Sequence, residues 1–265
     1  MKTHLGNYSW QEVQELIKDD PVVVLPVGAF EQHGKHLPVK VDEFLVGSVA
    51  EESVIKSHKK NINAVLTPVV WTGYSPHHLD FPGTITIQEE TLTNLIIEIV
   101  ESLVHNKLER ILILNGHGGN ANILKNVVQV LRYKKNIYTA FASYWDFALK
   151  EIAEWRKSET GGIMHACEME TSLMLNRDEQ TVQMNKAKDH YLNRSKYLAA
   201  DLLSGGPISV AASFKELSEN GSIGAPTLAT KERGEDLFNK ITDSVSDFLV
   251  EFSKWPKPLT GEKNE

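Results

Sequence analysis

At 265 residues, with 41% hydrophobic and 24% charged side chains, the chain can bury a large core and suits one large α/β unit better than two small ones. Its formal net charge of −7 argues against general nucleic-acid binding and against an anionic membrane surface, and no apolar run approaches the length of about 18 residues that a membrane span needs. MKTHLGNYSWQEV lacks the apolar core of a secretory signal, and the one cysteine, Cys167, has no partner for an intramolecular disulfide, so a cytoplasmic location is expected.

In chain order, the first apolar β-branched run is 21–28, and its continuous apolarity predicts a strand buried on both faces. EQHGKHLPVKVDEF follows over 31–44, with Asp42 placed to open the next helix, where a carboxylate also suits an N-cap. A second strand is predicted over 64–70, leading into WTGYSPHHLDFPGT. Leu92, Leu95, Ile96 and Val100 fall near a 3.6-residue period and predict a helix over 89–103, whose apolar face suits the core or a subunit contact. A third strand, 110–115, runs into NGHGGN, and a helix is predicted over 120–133. A fourth strand, 137–143, runs into SYWDF. Segment 204–231 is rich in Gly, Ser and Pro and reads as an extended loop before a last helix over 232–253; the tail 257–265 is expected to be poorly ordered. Strand-then-helix alternation predicts an α/β fold with a mostly parallel sheet flanked by helices, in one domain over 1–256.

In open α/β sheets ligands bind outside the carboxyl ends of the strands, and four predicted strand ends deliver polar residues there. Glu31 and His33, two apart, share a face of an extended segment, while His36 reads as a solvent-facing or supporting residue. NGHGGN lacks the lysine and hydroxyl of a phosphate loop, so its glycines are read as a tight turn that projects His117 and is braced by Asn115 and Asn120. In HACEMETSLML, His165 and Glu168 are i and i+3, on one face if the segment is helical; of Glu168 and Glu170, one would be a ligand or acid/base and the other would orient a neighbour. Cys167 reads as a buried structural thiol, since residues adjacent on a helix point apart. Mixed histidine and carboxylate donors without thiolate suit Zn²⁺, Mn²⁺ or Fe²⁺, and Glu31, His33, Asp42, His117 and one of the two glutamates suit two such ions sharing a carboxylate.

LPVGAFEQHGKHLPVKVDEF, FPGT, NGHGGN, SYWDF, HACEMETSLML and GSIGAPTLATKERG, in that order, resemble the creatininase (creatinine amidohydrolase) family. The resemblance implies a binuclear metal centre, usually a homohexamer, and hydrolysis of a non-peptide C–N bond (cyclic amide, amidine or formamide) in a small molecule. Carried over by motif, Glu31 and Asp42 would hold a harder ion such as Mn²⁺, and His33, Asp42 and His117 a Zn²⁺-like ion, with Asp42 bridging. His165 matches a proton-handling histidine, with Glu170 orienting it or the attacking water, and Trp145 matches a tryptophan of the substrate pocket, where His78, Trp71 and Gly118 are also expected. The chain departs from true creatininases at Gly119, where they carry a ligating glutamate, so Glu168 is expected to replace it, and at TGGIM, where they carry a substrate-contacting tryptophan. The same centre could alternatively open a lactone or cyclic keto-sugar, isomerise one, or serve a non-catalytic scaffold.

Overall fold

The computed structural model describes residues 1–193 and 195–257. Its main sheet holds β1 (Val22–Val27), β2 (Ala64–Leu66), β3 (Arg110–Asn115) and β4 (Thr139–Ser143), all parallel, in the order β2-β1-β3-β4. This is the parallel sheet that the apolar runs predict. The central strands β1 and β3 are buried throughout and pair from Val22↔Arg110 to Val27↔Asn115. The run 64–70 is strand only over its first part, because Pro68 has no N–H for the ladder; the chain rejoins the sheet at a single bridge between Val27 and Val70. β4 lies at the sheet edge and is mostly half-buried rather than covered on both faces.

Period-two alternation along β1 sorts the helices into two layers. Val22 and Val24 face one apolar cluster, shared with α2 (Val41–Lys59), α5 (Leu149–Trp155), α6 (Glu168–Asp178) and α8 (Lys231–Phe252). Val23, Leu25 and Val27 face the other, shared with α1 (Trp10–Leu16), α3 (Glu89–His105) and α4 (Ala121–Lys135). On α3 three of the four periodic residues, Leu92, Ile96 and Val100, are fully buried against this second cluster, so that face is core, while Leu95 turns outward and is exposed. Helix boundaries follow local chemistry: Ser9 and Glu12 form a capping box for α1, and Thr230 caps α8 through the Arg233 N–H.

A second, two-stranded sheet pairs β5 (Ile163–His165) antiparallel with β6 (Ile223–Gly224). It corrects the helical reading of HACEMETSLML: His165 ends a strand, Ala166 turns the chain with a left-handed φ of 48°, and α6 starts only at Glu168. His165 and Glu168 therefore do not share a helix face. Segment 204–231 is mostly irregular, as expected, but contains β6 and a one-turn helix, α7 (Phe214–Leu217). Apart from Lys257, the tail 257–265 lies outside the described residues. No helix among the described residues is long and apolar enough to cross a membrane.

Candidate metal centre

The segment after β1 carries Glu31, Gln32 and His33 to the carboxyl edge of the sheet, and the first turn of α2 adds Asp42. The turn after β3 adds His117, β5 ends on His165, and the first turn of α6 adds Glu170. The NGHGGN turn is braced as its sequence suggests. Asn115 Nδ2 donates to the His117 carbonyl (2.7 Å) and Asn120 Nδ2 donates to the Gly28 carbonyl (2.9 Å), tying the two strand ends together. Gly116 has to be glycine on packing grounds, since a Cβ there would sit 2.7 Å from the Asp42 carbonyl.

Two groups of ligand-bearing side chains share Asp42: Glu31, Asp42 and His117 on one side, and His33, Asp42 and Glu170 on the other. Asp42 Oδ2 lies 3.0 Å from His117 Nδ1, and its Oδ1 lies 3.1 Å from His33 Nε2. His33 Nε2 is also 3.8 Å from Glu170 Oε1, and His117 Nε2 is 3.3 Å from Glu31 Oε2. Backbone carbonyls orient the rings. His33 Nδ1 faces the Glu31 carbonyl at 3.1 Å and His117 Nε2 faces the Tyr74 carbonyl at 3.1 Å. A ring nitrogen facing a carbonyl carries the hydrogen, so once each ring is neutral its lone pair lies on His33 Nε2 or His117 Nδ1, the atoms turned to carboxylates.

This donor set fits divalent cations. Both carboxylate oxygens of Glu31, His33 Nε2 and Asp42 Oδ2 are buried and make no aligned hydrogen bond, although oppositely charged partners lie within 3.0–3.3 Å. Buried polar atoms are ordinarily satisfied, and close approach without alignment is how ligands around a cation sit. Imidazole and carboxylate donors together suit zinc, manganese or iron(II).

The field of the cluster is strong. Burial opposes charge on Glu31, but His117 and His78 outweigh it and hold the carboxyl below its ordinary value; His33 and His117 do the same for Asp42. Burial likewise opposes charge on His117, yet Glu31 and Asp42 raise it to about 9; on His33, too, burial is outweighed, and Asp42 and Glu170 hold it well above its ordinary value. His165 goes the other way. Burial, aided by the neighbouring His33 and His78, pushes it well below the usual imidazole range, so it is neutral at pH 7.

The centre floors a cavity of about 260 Å³. Of the expected pocket residues, Trp145, His78 and Gly118 line it, and a Cβ at Gly118 would meet nothing within 4 Å. Trp71 does not: it is 49% exposed and packs edge-on against Phe30, with ring centroids 5.8 Å apart. Glu168 also departs from expectation. Its carboxylate turns away from the cluster, accepts from the Lys157 and Ser158 N–H groups at 3.0 Å each, and pairs with Arg233. The glutamate beside His33 and Asp42 is Glu170, because α6 begins after the Ala166 turn and faces its third residue, not its first, toward the cavity. The partition also changes, since His117 groups with Glu31 rather than with His33. His36 is buried, its Nε2 2.9 Å from Thr171 Oγ1, and is a support rather than a solvent residue. Three cavity residues had no sequence signal: Asp201 and Leu202, just before segment 204–231, and Phe214, which opens α7. Gln32 had one, its position between Glu31 and His33.

The creatinine amidohydrolase family model matches residues 6–249. The chain belongs to the creatininase family. Among creatininase-family relatives it is 30% identical over 259 residues to the mycofactocin precursor peptide peptidase of Mycolicibacterium smegmatis, covering 97% of this chain and 93% of that one. It is 26% identical over 264 residues to the creatinine amidohydrolase of Pseudomonas putida (93% and 96% covered). It is 24% identical over 267 residues to the 3-dehydro-scyllo-inosose hydrolase of Thermotoga maritima (91% and 82% covered). Among solved structures, a Bacteroides fragilis protein shares the fold with a TM-score of 0.82 at 24% identity, over 97% of this chain and 99% of that one. A manganese creatininase superposes with a TM-score of 0.77 at 26% identity (95% and 98% covered), and a creatininase variant complexed with creatine with 0.78 at 25% (96% and 100% covered). Creatininase-family enzymes of this kind are hydrolases, and the α/β architecture here is theirs.

Proposed function

We propose that the chain is a metal-dependent amidohydrolase that cleaves a C–N bond in a small molecule, with a cyclic amide, amidine or formamide as the substrate class. The observation that carries this reading is the pair of buried ligand groups sharing Asp42 at the floor of a cavity. Glu31, Asp42 and His117 would hold one ion, and His33, Asp42 and Glu170 the other, as zinc, manganese or iron(II). Ions bound there supply Lewis acidity toward a substrate carbonyl and make water nucleophilic near neutral pH.

The remaining chemistry belongs to the chain's own groups. His165 Nε2 faces the Gln32 carbonyl at 2.8 Å and so carries its hydrogen there, leaving the Nδ1 lone pair turned toward Glu31 Oε1, 3.8 Å away. A neutral imidazole in that pose can accept a proton from the attacking water and pass it to the leaving nitrogen. Trp145, Met164, Leu202 and Phe214 line the cavity with apolar surface, which lowers the local dielectric and strengthens each electrostatic contact inside. A volume of about 260 Å³ falls below the range of about 300–1,000 Å³ usual for drug-sized ligands and favours a compact substrate. The end of a short peptide is the second reading, favoured by the 30% identity to a peptide peptidase.

On the family resemblance, residues 1–256 are further read as one domain, assembling as a homohexamer in the cytoplasm. The test is elemental analysis of the purified chain followed by turnover assays on cyclic amides, formamides, short peptides and lactones. Two ions per chain with turnover of a compact amide supports the reading; bound metal with turnover of lactones alone overturns the amide assignment.

A further inference from the structure

Four imidazoles come within 4.0 Å of the Glu31 or Asp42 carboxylates, and three of them, His33, His117 and His165, turn one ring nitrogen to a backbone carbonyl. His78 differs. Its Nδ1 lies 2.7 Å from Gln32 Nε2, an amide nitrogen that can only donate. The orientation of that amide is fixed by backbone on both sides. Gln32 Oε1 accepts from the Gly34 N–H (2.9 Å), and Gln32 Nε2 donates to the Gly221 carbonyl (2.9 Å); a flipped amide would set donor against donor and acceptor against acceptor. Of its two hydrogens, one goes to Gly221 and the other to His78; His165 Nε2 also lies 3.2 Å from the amide nitrogen, but with its own hydrogen on the Gln32 carbonyl (2.8 Å) it is no acceptor. Gly221 permits this approach: its φ is +77°, and a Cβ there would collide with Gln32 Oε1.

We propose that Gln32 is a positioning residue that fixes the tautomer of His78, making it an N–H donor to Glu31 rather than a metal ligand. With Nδ1 accepting from Gln32, the ring hydrogen of neutral His78 sits on Nε2, which lies 3.0 Å from Glu31 Oε1, off the ideal line but facing it. An N–H nitrogen has no lone pair for a cation, so the grouping of Glu31, His77 and His78 is not a third ion site, although the three lie close enough for one. His78 instead holds the Glu31 carboxylate from behind, leaving Oε2 toward His117 and the shared Asp42. One side chain between two ligands thus sets an imidazole, and the imidazole sets a ligand.

The inference rests on the metal reading above, and its test separates the two. Protein labelled with ¹⁵N-histidine is examined by NMR both metal-free and loaded with zinc, alongside Gln32→Met and Gln32→Glu. The wild type is expected to show His78 protonated on Nε2 in both states. Gln32→Met, which keeps the volume and removes the donor, should give a mixed His78 tautomer while His165, held by a backbone carbonyl, stays protonated on Nε2. Zinc affinity or turnover should fall about 10- to 100-fold, the usual loss when a residue orienting a ligand is removed. Gln32→Glu, an acceptor in place of a donor, should move the hydrogen to Nδ1. Wild-type His78 protonated on Nδ1, or Gln32→Met with an unchanged His78 tautomer and unchanged zinc affinity, would overturn the proposal. Failure of the wild type to take up zinc counts against the metal reading, while the tautomer is still read in the metal-free protein.

Discussion

Glu168 and Arg233 form an ion pair between the first turn of α6 and the first turn of α8, and the same Arg233 stacks on Trp155 at 4.2 Å and donates to its carbonyl. With the Lys157 and Ser158 N–H groups also on Glu168, the carboxylate is fully buried and fully engaged. Removing it strands the half-buried Arg233 and two backbone N–H groups, so Glu168→Ala should lower unfolding free energy by about 1–3 kcal/mol. Glu170→Gln should cost far less stability and instead weaken the ion at the His33–Asp42–Glu170 group. Denaturant titration beside metal content distinguishes them; equal stability loss from both would show that Glu170 is structural too.

Asp42 is common to both ligand groups, and its oxygens are divided between His33 and His117. Asp42→Ala should therefore take bound metal from two ions per chain to fewer than one and abolish turnover. A variant that keeps one tightly held ion would mean that the two groups are independent.

Metal uptake should depend on pH through the two ligand histidines. In the metal-free protein His117 titrates near pH 9 and His33 is raised well above its usual range, in both cases because nearby carboxylates outweigh burial. Raised pKa values mean that a proton occupies each ring at neutral pH and has to leave before the lone pair can ligate. Affinity should rise with pH up to about 9, by as much as about tenfold per unit for each displaced proton, with proton release detectable in weakly buffered solution. Affinity that is flat between about pH 6 and 9 would exclude these rings as ligands.

His165 stands apart from both shared groups, with a ring held by the Gln32 carbonyl. His165→Ala should retain the ions and lose about 10²- to 10⁴-fold in kcat, the usual contribution of a positioned acid/base. A variant as fast as the parent on the same substrate would remove the proton-handling role.

The two tryptophans expected in the pocket should separate cleanly. Trp145 lines the cavity and is 7% exposed, whereas Trp71 is 49% exposed and outside it. Trp145→Ala should raise KM or lower kcat/KM by about 10-fold or more, in line with about 3–5 kcal/mol for truncating a buried aromatic, of which part falls on stability. Trp71→Ala should leave both constants within about twofold, as exposed substitutions do. A KM shift from Trp71→Ala would place it at the cavity mouth.

Most of the centre was legible because its ligands sit where parallel sheets expose them. Glu31, His33 and His117 follow central strands whose apolar runs mark their ends, and Asp42 sits in the first turn of a helix, where a carboxylate is at home. Glu168 and Glu170 could not be told apart, because helical spacing was applied across a boundary that sequence hides: a two-residue turn at Ala166 and Cys167, with positive φ on an alanine. β5 and β6 are too short, at three and two residues, to carry any periodicity. Phe214 reaches His78 from the one-turn α7 far along the chain, with ring centroids 4.0 Å apart, and no local pattern announces a contact of that kind.

The two sides of the cavity differ in what stands behind them. Glu31, Asp42 and His117 are anchored in strand ends and a helix packed into the apolar core, so a change there is felt through the whole sheet. Leu202 lies in irregular chain and Phe214 opens the one-turn α7, and the residues between them from Gly205 to Ala211 are exposed. Substitutions on that outer side can reshape what the cavity admits while leaving the reactive floor intact. A chain built this way can exchange one substrate for another by drift in a loop, without first losing its chemistry or its fold.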